Sequence, residues 1–246
     1  MSENEFGYPP FDTPKPVAEG IWIVDGAPKR VAGVSVPVRM TVVRLTDGGL
    51  WLHSPTRFDA GLLRALESLG PVRHLVAPSF GHWTYLARWQ QHCPEATAWA
   101  PPELRKRPQV KASKVRFDRD LEEDAPGAWA ADLRQAVIPG AFGFCEVAFF
   151  HIASRTLVLT DLILAIETDR APLPTRIYAR LSGTRAPDGG TPRYLRLIVR
   201  RRRKEAATAA RRMIGWAPER VIFAHGRWYA SAATERLRKA LAWLLR

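Results

Sequence analysis

Three histidines and one aspartate stand where predicted strands end. His53 is the last residue of GLWLH, Asp161 follows TLVLT, His225 is the last residue of VIFAH, and His82 lies shortly after HLVAP. Because the loops that leave the carboxyl ends of neighbouring strands meet at one edge of an α/β sheet, we expect these side chains to converge. Three imidazoles and a carboxylate are ligands that suit Zn²⁺, Fe or Mn²⁺, and three protein ligands plus water leave a coordination position open for catalysis. The pattern is typical of a metal site, and the alternative is that each histidine is a hydrogen-bonded structural residue.

Asp161 is the least expected of these residues, because it stands in the apolar run RTLVLTDLIL. A carboxylate among so many apolar neighbours destabilises a fold unless it is paired, hydrogen-bonded or bound to a metal. We therefore interpret Asp161 as a metal ligand or, if the pocket is metal-free, as the hydrogen-bond partner of His82 or His225.

Composition limits the classes of protein that the chain can belong to. The 246 residues are 46% hydrophobic, which allows one large α/β domain or two small ones. The sequence contains no recognisable secretory signal and no apolar run long enough to cross a bilayer, so we expect a cytoplasmic protein. Its two cysteines, Cys93 and Cys145, form no C-x-x-C pair, which argues against a disulfide framework and a zinc finger.

Basic residues are concentrated in one part of the chain. The net charge is +13, and the stretch from Arg176 to Arg212 holds twelve basic residues against two acidic ones. Within it, the consecutive arginines Arg200, Arg201, Arg202 and Arg203 are candidate anion-binding residues, for a substrate phosphate or carboxylate, nucleic acid or an acidic lipid surface. The alternative is an arginine-rich helix that is merely solvated.

The elements that must position these residues alternate between strands and helices. Residues 1–18 are rich in proline and predict an irregular arm. Apolar periodicity then predicts strands in GIWIVDG, VRHLVAP, ATAWAPPEL, LRQAVIPG and RVIFAHG, and helices in FDAGLLRALESLG, HWTYLARWQQHCP and ATERLRKALAWLLR. It also predicts a hairpin that turns at Asp47–Gly49 and a second hairpin in CEVAFFHIASRTLVLTD. This order favours an α/β fold with two sheets and helices outside them.

The order of the pieces resembles the metallo-β-lactamase superfamily over roughly residues 20–229. Closer still is an uncharacterised family with that fold, the domain of unknown function numbered 4336. The phrases that carry the resemblance are PVRMTVVRLTDGGLWLHSP, GPVRHLVAP, EVAFFH, SRTLVLTDL and RVIFAHG. The resemblance implies a four-layer αββα sandwich, with a single domain over residues 19–246 and a basic helical insertion at about 170–217.

The superfamily's metal motif, His-x-His-x-Asp-His, is degenerate in this sequence. Its last histidine falls on His82, the bridging aspartate on Asp161 and the final histidine on His225. The remaining ligand positions fall on Ala77, Ser79, Gly81 and Ala141, and the aspartate that usually ends the early strand is replaced by His53. The resemblance therefore does not support a two-metal hydrolase. It implies one metal held by the three surviving residues, with His53, Ser79 or Glu146 assisting, or no metal at all.

Two functions follow from the sequence. The first is a mononuclear metal-dependent hydrolase of a small, anionic molecule, with Glu146 or His53 as catalytic proton carriers and Arg200–Arg203 leaning over the pocket. The second is a non-catalytic, metal-free member of the fold that binds an anionic ligand, nucleic acid or a membrane surface through the arginine-rich insertion.

Overall fold

Alternating apolar residues build two sheets in the computed structural model, which describes residues 6–246. Residues 1–5 of the predicted arm lie outside the described residues. Among those described, the first sheet holds seven strands in chain order: β1 (Lys15–Ala18), β2 (Ile21–Val31), β3 (Val34–Arg44), β4 (Leu50–His53), β5 (Val72–Val76), β6 (Thr97–Ala100) and β7 (Arg119–Asp120). The second sheet has the order β11-β10-β9-β8, with β8 (Leu133–Pro139), β9 (Cys145–His151), β10 (Thr156–Val158) and β11 (Arg220–Ile222).

Helices cover the outer face of each sheet. The helices on the first sheet are α1 (Ala60–Glu67), α2 (Leu86–His92), α3 (Pro102–Lys106) and α4 (Pro108–Lys111). The segment between β10 and β11 contains a 3-10 turn (Thr168–Arg170), α5 (Leu173–Ser182), α6 (Arg193–Arg200) and α7 (Arg203–Gly215). Helix α8 (Ala233–Leu245) follows β11. Their amphipathic patterns explain this placement. In α1, Asp59 caps the first turn by accepting the Leu62 N–H at 2.8 Å, and Leu62 and Leu66 are buried on one face.

Three apolar cores separate the layers. The core between the sheets contains a cluster of aromatic rings in which Trp51 packs edge-on against Trp129 and Phe149. One outer core joins α1 to α4 to the first sheet, and the other joins α6, α7 and α8 to the second. This confirms the predicted αββα sandwich.

Strand direction decides where loops can meet. Strands β4, β5 and β6 are parallel to one another, and β11 is parallel to β10. The loops after β4, β5, β10 and β11 therefore start at the carboxyl ends of these parallel strands. This is the arrangement from which the sequence pattern predicted a shared site.

One expectation about the chain's organisation needs correction. The predicted arm is not irregular throughout, because Lys15–Ala18 pairs with β2 and Phe6 is buried against Ile166, Ala171 and Ala179. The basic segment at about 170–217 contains α5, α6 and α7, and α7 packs between β8 and α8 as part of the outer layer. No helix within residues 6–246 is long and apolar enough to cross a membrane.

Candidate metal centre

Three of the predicted site residues come together at the shared loop edge. One ligand atom from each of His82, Asp161 and His225 lies within 4.8 Å of the other two. The Asp161 carboxylate stands between the imidazoles, with Oδ2 3.3 Å from His82 Nε2 and Oδ1 3.3 Å from His225 Nε2. His82 is supplied by the first sheet, whereas Asp161 and His225 follow strands of the second.

The second nitrogen of each imidazole is already engaged. His225 Nδ1 donates to the Pro37 carbonyl oxygen at 2.7 Å, and His82 Nδ1 forms a short hydrogen bond with Ser54 Oγ. A carbonyl can only accept, so His225 carries a proton on Nδ1. Both Nε2 atoms are thereby directed at Asp161, which is the arrangement that metal-binding histidines obtain from their outer partners.

The charges around Asp161 favour a cation at this point. Burial opposes ionisation of Asp161, but the charges and hydrogen bonds of His82 and His225 outweigh it and hold the pKa of that carboxyl well below its usual range. Burial likewise opposes charging of His225, but the hydrogen bond to Asp161 and its negative charge raise the pKa of this imidazole. Asp161 is thus a carboxylate, and positive charge next to it is stabilised.

Glu146 fixes the loop that carries Asp161. Its buried carboxylate accepts three consecutive backbone N–H groups, from Thr160 at 2.8 Å and from Asp161 and Leu162 at 2.9 Å each. Burial and the charge of Asp161 raise the pKa of Glu146 despite these bonds. The side chain does not line the cavity described below. These bonds favour a positioning role for Glu146, and its predicted proton-carrying role stays a prediction.

His53 does not reach the site either. It is 1% exposed and stacks on Trp51 with a ring-centroid distance of 5.4 Å, and its Nε2 has no hydrogen-bond partner among residues 6–246. Burial and, to a lesser extent, the nearby charge of His82 keep the pKa of His53 well below its ordinary value. His53 packs in the core between the sheets and does not line the cavity, so its predicted roles as a proton carrier and as a residue that assists a metal stay predictions.

The positions where the superfamily ligands are absent have other uses. Ser79 Oγ donates a long hydrogen bond of 3.4 Å to Asp161 Oδ2. Gly81 faces the same oxygen, and a Cβ at this position would lie 3.8 Å from it. The Ala141 N–H donates to the Ile198 carbonyl oxygen of α6. Within residues 6–246, His82, Asp161 and His225 form the one cluster of His, Cys, Asp or Glu suited to an ion, so the residues present fit a single metal.

A cavity of about 620 Å³ opens directly onto this cluster. One wall is the β2–β3 hairpin and the other is formed by the loops before α2 and β9 together with α6. Its apolar lining comprises Val31, Ala32, Val34, Val36, Val38, Pro55, Phe80, Phe144, Leu164, Leu195 and Ile198; the polar lining outside the cluster comprises Lys29, Arg39, Ser54, Thr56, Thr84, Tyr85, Tyr178 and Tyr194. A mostly apolar cavity with a few polar groups at one point is typical of a small-molecule site.

The consecutive arginines point elsewhere. Arg200–Arg203 are all exposed, and none of the four lines the cavity. Arg202 pairs with Glu205 at 2.8 Å, while Arg200 and Arg203 border a separate surface cleft together with Trp243 and Arg246. The expectation that they lean over the pocket is wrong, and their binding of other anions stays a prediction.

Sequence reasoning missed the residues that hold the loop after β11. Arg39, 3% exposed, donates to the carbonyl oxygens of Phe223 at 3.1 Å and Gly226 at 2.8 Å and pairs with Asp25 at 2.7 Å. Gly226 has φ +97°, and a Cβ there would lie 2.1 Å from the Ala165 carbonyl oxygen. Only glycine fits beside His225. The glycine in FAHG was a usable signal, whereas nothing in the sequence marked Arg39.

Comparisons with known proteins agree with this architecture. A family model described as "Domain of unknown function (DUF4336)" matches residues 18–185, and no curated protein matches the sequence significantly. Among solved structures, a metallo-β-lactamase from Pontibacter korlensis is 14% identical over 93% of this chain and 98% of its own, with a TM-score of 0.61. FIM-1 from Pseudomonas aeruginosa in its mono-zinc form is 14% identical over 95% and 96%, with a TM-score of 0.61. The metal-soaked Flv1 flavodiiron core from Synechocystis sp. PCC6803 is 11% identical over 94% and 60%, with a TM-score of 0.64.

Proposed function

Because this chain belongs to the DUF4336 family and has the metallo-β-lactamase fold, we propose that it is a hydrolase that uses one divalent metal ion. His82, Asp161 and His225 are the proposed ligands, and Zn²⁺, Fe or Mn²⁺ are the metals that this donor set suits. The proposed substrate is a small molecule with an apolar portion and a hydrolysable ester, lactone or phosphodiester group.

One observation carries the proposal. Since His225 Nδ1 donates to Pro37, a neutral His225 has its Nε2 lone pair facing Asp161 Oδ1, 3.3 Å away. Two acceptors do not face each other stably in a partly buried site. A cation between them removes this conflict, and the cation is either a bound metal or the proton of a charged imidazole. The two 3.3 Å distances exceed those of good charge-assisted hydrogen bonds, which are about 2.7–2.9 Å, and this favours the metal.

A divalent metal held by His82, Asp161 and His225 would act as a Lewis acid, which would activate water and polarise a carbonyl or phosphoryl oxygen at neutral pH. The chain's own residues then have separate tasks. Ser54 and Pro37 orient the imidazoles, and Glu146 keeps the Asp161 loop in place. The valine side of the β3 strand and Phe144 bind the apolar part of the substrate and exclude bulk water.

Polar groups in the cavity can orient the reacting part of the substrate. Tyr178 lines the cavity, and burial raises its pKa, so its hydroxyl keeps its proton and can donate to a developing negative oxygen. Lys29, which donates to Thr84 at 3.0 Å, offers a positive charge to an anionic substrate group. Both terminal nitrogens of Arg39 are already engaged, with Asp25 and with two backbone carbonyl oxygens.

The alternative function is that of a metal-free binding protein. In it, the proton of His225 would supply the positive charge beside Asp161, and the exposed arginines would provide the working surface. The specific observation in its favour is the raised pKa of His225. Metal content separates the two functions directly.

Elemental analysis of the purified, untagged protein tests the proposal. We expect about one Zn, Fe or Mn per chain, lost in His82→Ala and in both Asp161→Ala and the more conservative Asp161→Asn. His92→Ala is the matched control, because His92 is an exposed histidine on α2 and should leave the metal content unchanged. The metal-loaded protein is then screened against esters, lactones and phosphodiesters. Wild type that stays metal-free after incubation with all three ions would refute the hydrolase.

A further inference from the structure

The large apolar side chains that are exposed all belong to elements or loops that also contribute lining residues to the cavity. Among residues 6–246 they are Val31, Phe142, Leu173, Ile177, Leu181, Tyr194 and Leu197, and we call this set the apolar rim. Val31 and Tyr194 line the cavity themselves, and Leu197 adjoins the cavity-lining Ile198. Phe142, 91% exposed, lies in the loop that the Ala141 N–H ties to α6. Such clustering is rare on the surface of a monomer and marks an interaction site.

Helix α5 contributes an exposed apolar stripe to the apolar rim. Leu173, Ile177 and Leu181 are spaced four residues apart and are 66%, 50% and 67% exposed. The buried face of α5 is a different one, formed by Thr175, Ala179 and Ser182. The Thr175 hydroxyl donates to the Ser35 carbonyl oxygen of β3 at 2.7 Å, which fixes α5 against the hairpin that walls the cavity. The stripe therefore points outward beside the cavity and is not needed for folding.

Arginines border the apolar rim on both helices. On α5, Arg176 and Arg180 lie one helical turn from Leu173 and Ile177, and on α6, Arg193 lies one turn from Leu197. All three are exposed, and within the part of the chain that the structure describes no carboxylate lies within ion-pair distance of them. The face is thus apolar in its middle and positively charged at its edge.

We propose that this face docks on an anionic lipid surface. Exposed Leu, Ile and Phe side chains insert among acyl chains, and the arginines meet lipid phosphates, which is the pattern of an interfacial helix. A second copy of the chain is a poorer occupant, because a symmetric pairing would bring the same unpaired arginines together. The apolar rim contains more aliphatic than aromatic side chains. This composition suits acyl chains better than nucleic-acid bases, which stack on aromatic rings.

Docking would also open the cavity toward the lipid. Val31 and Tyr194 belong both to the apolar rim and to the cavity lining, so an apolar molecule could pass from the membrane into the cavity without crossing water. The docking proposal does not depend on the metal, because none of the rim side chains belongs to the His82, Asp161 and His225 cluster.

Vesicle flotation with the full-length protein tests the proposal, with and without a chelator. We expect binding to phosphatidylcholine vesicles that contain about one third phosphatidylglycerol, much weaker binding to phosphatidylcholine alone, and loss at high salt. Leu173→Ser/Leu181→Ser should weaken binding at least about tenfold, since two exposed leucines no longer insert. Because both leucines are exposed, the double variant should keep the wild-type thermal melting curve. This measurement checks that the variant is folded.

Two double variants with the same net charge distinguish docking of this face from non-specific electrostatic attraction of the protein to anionic lipid. Arg176→Glu/Arg180→Glu and Arg64→Glu/Arg73→Glu lower the net charge equally, but Arg64 is exposed on α1 and Arg73 on β5, and neither lies on an element that carries the apolar rim. Only the first pair should abolish flotation. Equal loss with both pairs, or no flotation of the wild type, would overturn the proposal. So would dimers that the leucine variant dissociates, or binding of oligonucleotides in preference to vesicles.

Discussion

Replacing Glu146 by glutamine tests whether this side chain positions Asp161 or moves protons. The carboxylate satisfies three backbone N–H groups with two oxygens, one for Thr160 and one for both Asp161 and Leu162. An amide keeps a single oxygen. If that oxygen serves Asp161 and Leu162, the NH₂ group faces the Thr160 N–H, and one buried donor loses its partner.

The expected loss of stability follows from that lost hydrogen bond. A hydrogen bond to a charged acceptor contributes about 1.5–3 kcal/mol, and relief from burying a charge offsets part of this in the variant. We therefore expect Glu146→Gln to lower the free energy of unfolding by about 1–3 kcal/mol, which corresponds to a melting temperature lower by about 2–12 °C for a chain of this size. Displacement of the Asp161 loop should also weaken metal binding about 10- to 100-fold.

The assay combines urea unfolding with zinc competition against a chromophoric chelator. Asp118→Asn is the matched control, because the Asp118 carboxylate accepts one backbone N–H, from Ala98 at 2.8 Å, at the far strand pair of the first sheet. It should lose stability without losing zinc affinity. If Glu146→Gln kept both wild-type stability and wild-type zinc affinity while losing turnover, Glu146 would be a proton carrier and the positioning argument would be refuted.

Three further outcomes are expected. Ser54→Ala should keep the fold but weaken zinc binding about tenfold, because His82 loses the partner that orients its ring; equal zinc affinity in the competition assay would contradict this. Gly81→Asp should destabilise the metal-free protein by placing a carboxylate near Asp161 and should tighten zinc binding by adding a donor, so calorimetric melting with and without zinc must shift in opposite directions. The pKa of His74 is lowered by burial, so the unfolded state binds more protons and stability should fall as the pH drops below about 6.5; urea unfolding of wild type should show this loss, and His74→Gln should reduce it.

The fold and the central cluster could be foreseen for a definite physical reason. Parallel strands bring their carboxyl ends to one edge, so His82, Asp161 and His225 had to approach one another once their strands were identified. The apolar surroundings of Asp161 correctly marked it as a residue with partners. Recognition of the metallo-β-lactamase pattern then gave the four layers.

The remaining features depend on tertiary contacts that leave no local trace. Glu146 looks like any strand glutamate in the sequence, and its three partners are backbone amides, which every residue possesses. Pro37 contributes a carbonyl oxygen, which carries no signature of residue type. The packing of α6 and α7 on the second sheet decides which way the side chains of Arg200–Arg203 point. A run of consecutive arginines in the sequence gives no information about that packing.

The scattered origin of the three proposed ligands also bears on how the protein would acquire its metal. The intact superfamily motif is local, so an unfolded chain that contains it already holds neighbouring donors. Here His82 comes from one sheet, Asp161 and His225 come from the other, and no two of them are close in the chain. An ion could therefore not nucleate folding and would be captured only after the sheets had docked. It would then act as a cross-link between the halves of the sandwich, and its contribution would grow with free metal concentration as for any ligand specific to the native state.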